Sequence, residues 1–135
     1  MKPKITIIIP CYNSEKWIEQ CAMSCLNQTY ESVEVIAVDN ESSDGTVAIL
    51  NDIKNNNPEL IISSAKNIYP NCWDEAREEG FRLMTGDYVI TIGSDDYIDL
   101  EYVDKCMSVI LSSPKNIKAM QTPIQGIRQQ GEEFV

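Results

Sequence analysis

Two adjacent aspartates, Asp95 and Asp96, follow the apolar stretch Val89–Ile92 in a chain that already carries a net charge of −10. Because like charges this close repel each other, we expect a cation or a hydrogen-bond donor to lie between them. Neighbouring carboxylates suit a hard divalent ion such as Mg²⁺ or Mn²⁺. Such an ion would bridge the carboxylates to a diphosphate and stabilise charge on a phosphate leaving group.

Further polar side chains follow other predicted strands, at the points where those strands end. Tyr12 and Asn13 follow the first strand, and Asp39 follows the second. In a parallel sheet these strand ends share one edge, where α/β proteins bind ligands near the switch in strand order. Each residue alone has a structural explanation, as a turn residue, a packing residue or a favourable charge at a helix start. Their placement on one edge favours a binding site.

Apolar strands alternate with amphipathic helices, and these elements would position the polar residues. The strands are predicted at Lys4–Ile9, Val33–Val38, Glu59–Ser64 and Asp87–Ile92, with a fifth at Ile117–Thr122. Asn13 or Ser14 is predicted to cap the first helix, and Ser43 or Asp44 the second. Gly80 falls on the buried face of the third helix, which predicts close approach to the sheet. The pattern predicts an α/β fold: a doubly wound, mostly parallel, Rossmann-like sheet with helices on both faces.

Composition and absent motifs exclude several classes of partner and site. A chain of 135 residues with 43% hydrophobic residues is expected to form one globular domain. With 11 basic against 21 acidic residues, nucleic acid and anionic membrane surfaces are unsuitable partners. Five cysteines without histidine or a Cys-x-x-Cys motif predict reduced thiols in the cytoplasm and no zinc site. The dinucleotide, P-loop and Gly-x-Ser-x-Gly motifs are also missing.

Three segments of the chain together resemble the nucleotide-sugar-binding half of the family 2 glycosyltransferases, which have the GT-A fold. They are ITIIIPCYNSEKWIEQCAMSCLNQTY, VEVIAVDNESSDGT and AREEGFRLMTGDYVITIGSDD, and the resemblance covers Ile5 to about Leu111. It implies a metal-dependent transfer of a sugar from a nucleoside diphosphate sugar to an acceptor hydroxyl, with inversion at the anomeric carbon. The implied cofactor is Mg²⁺ or Mn²⁺.

The resemblance also implies roles for single residues. Tyr12, in the Pro-x-Tyr-Asn segment, would lie against the nucleotide base, and Asp39 would hydrogen-bond that base. Asp95 would lie near the ribose and diphosphate, and Asp96 would hold the metal as the last member of an Asp-x-Asp-like motif. The implied nucleotide-sugar-binding residues are Pro10, Tyr12, Asn13, Asp39 and Asp95, the implied metal ligand is Asp96, and no catalytic residue is assigned.

The chain departs from the family pattern at several positions. Asn40 and Glu41 stand where the family often has Asp and Gly, and Glu78 stands where its Ala-Arg-Asn motif has Asn. Gly93 stands where many members have a further Asp. These departures leave the donor sugar and the nucleotide base open.

Family members continue into an acceptor-binding half that carries the general base, whereas this chain ends at Val135. We therefore expect residues 1–135 to form a single donor domain, truncated relative to the family, that binds the donor without efficient transfer. The acceptor of the full-length enzyme would be a saccharide or a lipid-linked saccharide. The expected location is the cytoplasm or, for a larger assembly, the cytoplasmic face of a membrane. A bare sheet edge would favour a homo-oligomer.

Two alternatives stay open at this point. A nucleotidyltransferase has a similar sheet and carboxylate-bound Mg²⁺, although the segment PCYNSEK lacks the Gly-rich basic loop of such enzymes. A non-catalytic nucleotide-binding or assembly module would keep the fold without the reaction, and a failure to respond to any nucleotide would favour it.

Overall fold

Four parallel strands form the sheet that carries the predicted site residues. A computed structural model describes residues 2–68, 74–113, 117–122, 126–127 and 133–134 of the chain. The chain divides into two units, Met1–Asp104 and Lys105–Val135. The strands of the first unit are β1 (Ile5–Cys11), β2 (Val33–Asp39), β3 (Ile61–Ser64) and β4 (Tyr88–Thr91), in the spatial order β3-β2-β1-β4. This arrangement confirms the predicted parallel α/β sheet.

Four helices connect or follow these strands. They are α1 (Ile18–Leu26), α2 (Thr46–Asn56), α3 (Asp74–Leu83) and α4 (Tyr102–Ser112). Among the described residues, none of the helices has both the length and the apolar character needed to cross a bilayer.

The second unit contains a short antiparallel pair, β5 (Gly126–Ile127) with β6 (Glu133–Phe134). The strand predicted at Ile117–Thr122 is wrong, because these residues form no regular structure. Residues 118–121 are all exposed, so the apolar residues of this segment do not form the buried face that a strand would need.

Both faces of the sheet are covered, since every residue of β1 is buried. On one face Ile36 and Val38 pack with Ala76 of α3. Gly80 brings α3 so close to this face that a Cβ added there would lie 2.4 Å from Ile8 Cγ2. The predicted close approach at Gly80 is thus confirmed. Helices α1 and α2 pack against each other and against the sheet, so helices flank the sheet as predicted.

The helix starts differ from the prediction. Helix α1 begins at Ile18, and its N-cap Trp17 makes no side-chain capping bond, so the predicted caps Asn13 and Ser14 are wrong. The side chains of these two residues bond to neighbouring loops instead. Helix α2 has Gly45 as its N-cap, and the preceding residue, Asp44, accepts a hydrogen bond from Thr46 N at 3.0 Å.

The described cysteines are free thiols, as predicted. Cys11, Cys21 and Cys25 are buried, Cys106 is partly buried, and Cys72 lies outside the described residues. Burial, followed by the charge of Asp39, raises the pKa of the Cys11 thiol. The buried thiol therefore stays protonated and acts as an apolar packing group.

Glu34 is the centre of a polar network at the end of the sheet remote from the predicted site. Its carboxylate accepts hydrogen bonds from Thr6 Oγ1 at 2.8 Å, Thr85 N at 2.9 Å and Lys4 Nζ at 3.0 Å. Burial acts to raise the pKa of this carboxyl, but the hydrogen bonds outweigh burial and lower the pKa from 4.5 to about 2. The folded state therefore favours the ionised form.

We expect Glu34→Gln to lower the free energy of unfolding by about 2–3 kcal/mol at neutral pH, because the folded-state pKa lies below the unfolded value. This stabilisation is fully present above the unfolded pKa of 4.5 and is lost as the pH falls toward 2. Urea unfolding of both chains at several pH values measures it. Glu31→Gln, at a side chain that is 82% exposed, is the control and should have little effect. A difference between Glu34→Gln and the unaltered chain that does not shrink in acid would contradict this account.

Candidate functional site

The predicted site residues lie at the carboxyl ends of three neighbouring strands. Asp39 is the last residue of β2 and pairs in register with Cys11, the last residue of β1. On the other side of β1, Ile92 N donates to Ile8 O at 3.0 Å, and the chain then enters the Asp95–Asp96 turn. The strand order reverses between β1 and β4, so Asp39 and the turn emerge on either side of the switch point. Such a position is the usual ligand crevice of an open α/β sheet.

Asp39 is almost completely enclosed, with only 8% of the residue exposed. Its Oδ2 atom accepts a hydrogen bond from Ser42 N at 3.2 Å. Its Oδ1 atom is buried and meets no hydrogen-bond donor among the described residues. A buried acceptor without a donor costs about 1–3 kcal/mol, and a ligand N–H would recover that cost. Because Oδ1 is closed to solvent, the groups that cover it must move aside before a ligand reaches it.

The other three predicted residues of this side lie near the end of β1 and in the loop that follows it. Pro10 is buried inside β1, whereas Tyr12 is 37% exposed. Asn13 has a φ of 46°, a left-handed conformation that Asn tolerates better than most residues. Its N–H donates to Ser42 Oγ at 2.9 Å, and its Oδ1 accepts from Ser43 N at 2.8 Å. Asn13 therefore fixes the loop, and Tyr12 presents the exposed ring.

Reciprocal hydrogen bonds join the loops after β1 and β2. Glu15 N donates to Asp44 Oδ2 at 3.1 Å, while Gly45 N donates to Glu15 Oε2 at 2.8 Å. Ser14 N donates to Thr46 Oγ1 at 2.8 Å. These contacts between the loops were not predicted. The feature of the sequence that could have indicated them is the density of hydroxyl and carboxyl groups in the segment ESSDGT. The bonds hold the two loops at a fixed separation.

The Asp95–Asp96 pair folds over Gly93. Asp96 N donates to Gly93 O at 3.0 Å and closes a tight turn. Asp95 Oδ1 and Asp96 Oδ2 each lie 3.0 Å from the position that a Cβ on Gly93 would take, so both oxygens face the same small space. A side chain at position 93 would press against both carboxylates. Glycine here therefore lets the two acidic side chains converge.

The described residues do not neutralise the charge of this turn. Neither Asp95 nor Asp96 forms an ion pair with a described lysine or arginine. Partial burial, followed by the charge of Asp95, raises the pKa of Asp96. Within the described ranges, no three His, Cys, Asp or Glu side chains are grouped to hold a metal ion. Two carboxylates fit Mg²⁺ or Mn²⁺ that takes its remaining ligands from water and phosphate, rather than an ion caged by protein alone.

Glu41 has an unusual backbone conformation close to Asp39. Its φ is 59°, a region that glycine occupies freely and that costs other residues about 1–2 kcal/mol. Its Oε2 atom accepts a hydrogen bond from Asn67 N at 3.0 Å, which links the loop after β2 to the segment after β3. The left-handed backbone conformation accounts for the glycine that the resembled family often has at this position. In this chain the hydrogen bond from Asn67 helps to hold Glu41 in the strained conformation.

Comparisons with known proteins agree with this architecture. Residues 6–129 match the family described as Glycosyl transferase family 2. The chain is 33% identical over 112 residues to an uncharacterized glycosyltransferase of Haemophilus influenzae, a match that covers 82% of this chain and 44% of that protein. It is 35% identical over 100 residues to a poly(ribitol-phosphate) beta-glucosyltransferase of Bacillus spizizenii, covering 73% of this chain and 16% of that protein.

A solved structure is similar over most of the chain. The crystal structure of S. aureus TarS 1–349 in complex with UDP-GlcNAc has a TM-score of 0.71 and 26% sequence identity, and the match covers 90% of this chain and 37% of that one. The chain thus spans less than half the length of these three proteins.

Proposed function

Because the chain belongs to glycosyltransferase family 2, we propose that its strand-end edge binds a nucleoside diphosphate sugar as the donor site for transfer to an acceptor hydroxyl. One observation carries this proposal: among the described residues, the buried Oδ1 atom of Asp39 has no hydrogen-bond donor and the converging carboxylates of Asp95 and Asp96 have no ion-pair partner, and these groups flank the same switch point. The glycosyltransferase names of relatives and the UDP-GlcNAc bound by TarS support it. The proposed acceptor is a saccharide or a lipid-linked saccharide, and the proposed stereochemical outcome is inversion.

Asp39 and Tyr12 form the proposed base side of the site. The Oδ1 atom of Asp39 meets no hydrogen-bond donor among the described residues and can accept from a ligand N–H. Uracil and guanine carry a ring N–H on their pairing edge, and cytosine and adenine carry an amino N–H there, so each of these bases can donate to a carboxylate. The exposed ring of Tyr12 offers a surface on which a base can stack. This side of the site therefore fits a nucleotide base that donates an N–H to Asp39 and stacks on Tyr12.

Asp95 and Asp96 form the proposed diphosphate side. Their two oxygens face one small space, and Asp96 is the proposed ligand of Mg²⁺ or Mn²⁺. When bound, such an ion would offset negative charge on the departing diphosphate. The turn brings the two carboxylates together, because Gly93 has no side chain to occupy the space that both oxygens face. Asp95, next to the proposed metal ligand, is the proposed contact to the ribose and the diphosphate.

A panel of four nucleotides tests the proposed function. We expect UDP or GDP to raise the melting temperature in the presence of Mn²⁺, with a gain of about 2.7 kcal/mol at a ligand concentration of 100 times the dissociation constant. CDP and ADP are the comparison, since the four dissociation constants together identify the base that the site selects.

Two variants refine this test. Asp39→Asn should weaken UDP or GDP binding at least about tenfold, since the charged acceptor is lost. Asp52→Asn, on the exposed surface of α2, makes the same charge change and should leave binding unaltered. If no nucleotide stabilises the chain, the proposed function fails and a non-catalytic assembly module becomes the better explanation.

A further inference from the structure

Ser14 is hydrogen-bonded to the loop after β1, to the first residue of α2 and to the turn after β4. Its N–H donates to Thr46 Oγ1 at 2.8 Å, at the start of α2. Its hydroxyl lies 3.0 Å from Tyr12 O, in the loop after β1, and 2.6 Å from Ser94 Oγ, in the turn after β4. Only 5% of Ser14 is exposed. One small buried side chain thus contacts both sides of the switch point.

The direction of these hydroxyl bonds follows from the number of hydrogens. A serine hydroxyl has one hydrogen to donate and lone pairs to accept with. Because Tyr12 O can only accept, Ser14 donates to it, and Ser94 donates to Ser14 Oγ. The result is a directed chain, from Ser94 to Ser14 to the Tyr12 carbonyl. It runs from the Asp95–Asp96 turn (the acidic turn) to the loop that presents the ring of Tyr12.

Ser94 lies in the acidic turn, between the glycine and the two aspartates. It follows Gly93, over which the carboxylates converge, and precedes Asp95. A second contact, from Cys21 Sγ to Gly93 O at 3.4 Å, holds the same turn from α1, although a thiol is a weak donor. The hydroxyl pair is therefore the stronger of these two tethers, and it alone leads to the loop of Tyr12.

We propose that Ser14 is a positioning residue that sets the separation between the base side of the site and the Asp95–Asp96 turn. The inference rests on the proposed function, because the separation matters for a ligand whose base and diphosphate occupy the two sides together. Ser14 is buried, so its proposed action on that ligand is indirect. It acts through Ser94 on the carboxylates and through the Tyr12 carbonyl on the aromatic ring.

The test compares UDP affinity with and without Mn²⁺ in Ser14→Ala, Ser94→Ala and the double variant. Calorimetric titration gives the factor by which saturating Mn²⁺ strengthens UDP binding. We expect each single variant to reduce that factor about fivefold to tenfold and to leave metal-free UDP affinity within about twofold. Because both hydroxyls belong to one bond, the double variant should lose no more than either single variant.

Ser63→Ala is the control, since Ser63 Oγ bonds Glu79 on α3 and lies outside the hydroxyl chain. It should change the melting temperature at most and leave the Mn²⁺ factor unaltered. A Mn²⁺ factor that is unaltered in both single variants, or losses that add in the double variant, would overturn the positioning role alone. An equal loss of affinity with and without Mn²⁺ would show a merely structural role. Failure of UDP to bind the unaltered chain would instead overturn the proposed function, and this inference with it.

Discussion

Asp96→Asn is expected to remove the Mn²⁺-dependent part of nucleotide binding while the chain stays folded. The amide has nearly the shape of the carboxylate but no charge, so the turn keeps its geometry and loses its proposed metal ligand. Removing a residue that only hydrogen-bonds a metal ligand already weakens metal binding about 10–100-fold. Removing the ligand itself should therefore weaken metal binding at least about 100-fold. If nucleotide binding weakens by about the same factor, a nucleotide concentration that stabilises the unaltered chain by about 2.7 kcal/mol would stabilise Asp96→Asn by about 0.4 kcal/mol.

The direction of the Asp96 pKa shift makes this result separable from unfolding. Partial burial and the charge of Asp95 raise the pKa of Asp96 in the folded chain. A raised folded-state pKa means that the ionised carboxylate opposes folding once the pH exceeds that pKa. Replacing it with a neutral amide should therefore leave the metal-free melting temperature unchanged or slightly higher. Differential scanning fluorimetry with UDP, GDP and Mn²⁺ measures both effects, and Asp52→Asn is the charge-matched control.

An undiminished Mn²⁺ effect in Asp96→Asn would exclude Asp96 as the ligand. Asp95→Asn is then the next variant to measure, since Asp95 Oδ1 faces the same space beside Gly93.

Gly80→Ala is expected to destabilise the fold, even though alanine favours a helix by about 1 kcal/mol. The added Cβ would lie 2.4 Å from Ile8 Cγ2 and 3.0 Å from Ile8 Cδ1. Ile8 is fully buried in the sheet, so α3 or β1 must shift. Overpacking of this kind costs about 1–3 kcal/mol and sometimes more. We expect a net loss of about 2 kcal/mol and a melting temperature lower by roughly 5–10 °C.

A double-mutant cycle assigns this loss to the Ile8 contact. Ile8→Ala removes the opposing side chain and is destabilising by itself through the cavity that it leaves. In that background Gly80→Ala should become neutral or stabilising, because the methyl group then fills space. Glu78→Ala, on the exposed side of the same helix, is the control for helix propensity. If Gly80→Ala raises the melting temperature of the otherwise unaltered chain, the contact is less rigid than the geometry indicates.

The sheet was predictable because β-branched runs and intervening helices leave few alternatives to a parallel α/β fold. Strand β2 illustrates this, since both its ends lie within one residue of the prediction. Strand β1 was predicted to end before Pro10, because proline cannot donate to a ladder, yet it continues to Cys11. Beyond Ile8 it pairs with β2 alone, so Pro10 lies where β1 has become an edge strand. That change of neighbours depends on the length of β4, which local sequence does not reveal.

Residue types at strand ends predicted which side chains would lie along the edge, but not how they would be held. The contact between Ser14 and Ser94 joins residues 80 positions apart, and the bond from Asn13 to Ser42 spans 29 positions. Such pairs become neighbours only through the crossovers of the whole fold. For the same reason Asn13 and Ser14, which resemble helix caps locally, bond to distant loops instead. The acidic groups were therefore predictable from the sequence pattern, whereas the hydroxyl contacts that join their loops were not.

The central place of β1 has a consequence for partial unfolding. Asp39 and the Asp95–Asp96 turn share one edge of the sheet only while β2 and β4 are both docked on β1. An opened form that has released β4 would keep Asp39 in place and lose the turn. A ligand that spans the switch point therefore opposes this opening, and the backbone amides of β4 should exchange with deuterated solvent more slowly when it is bound. Occupancy of one edge is in this way coupled to the integrity of the entire sheet.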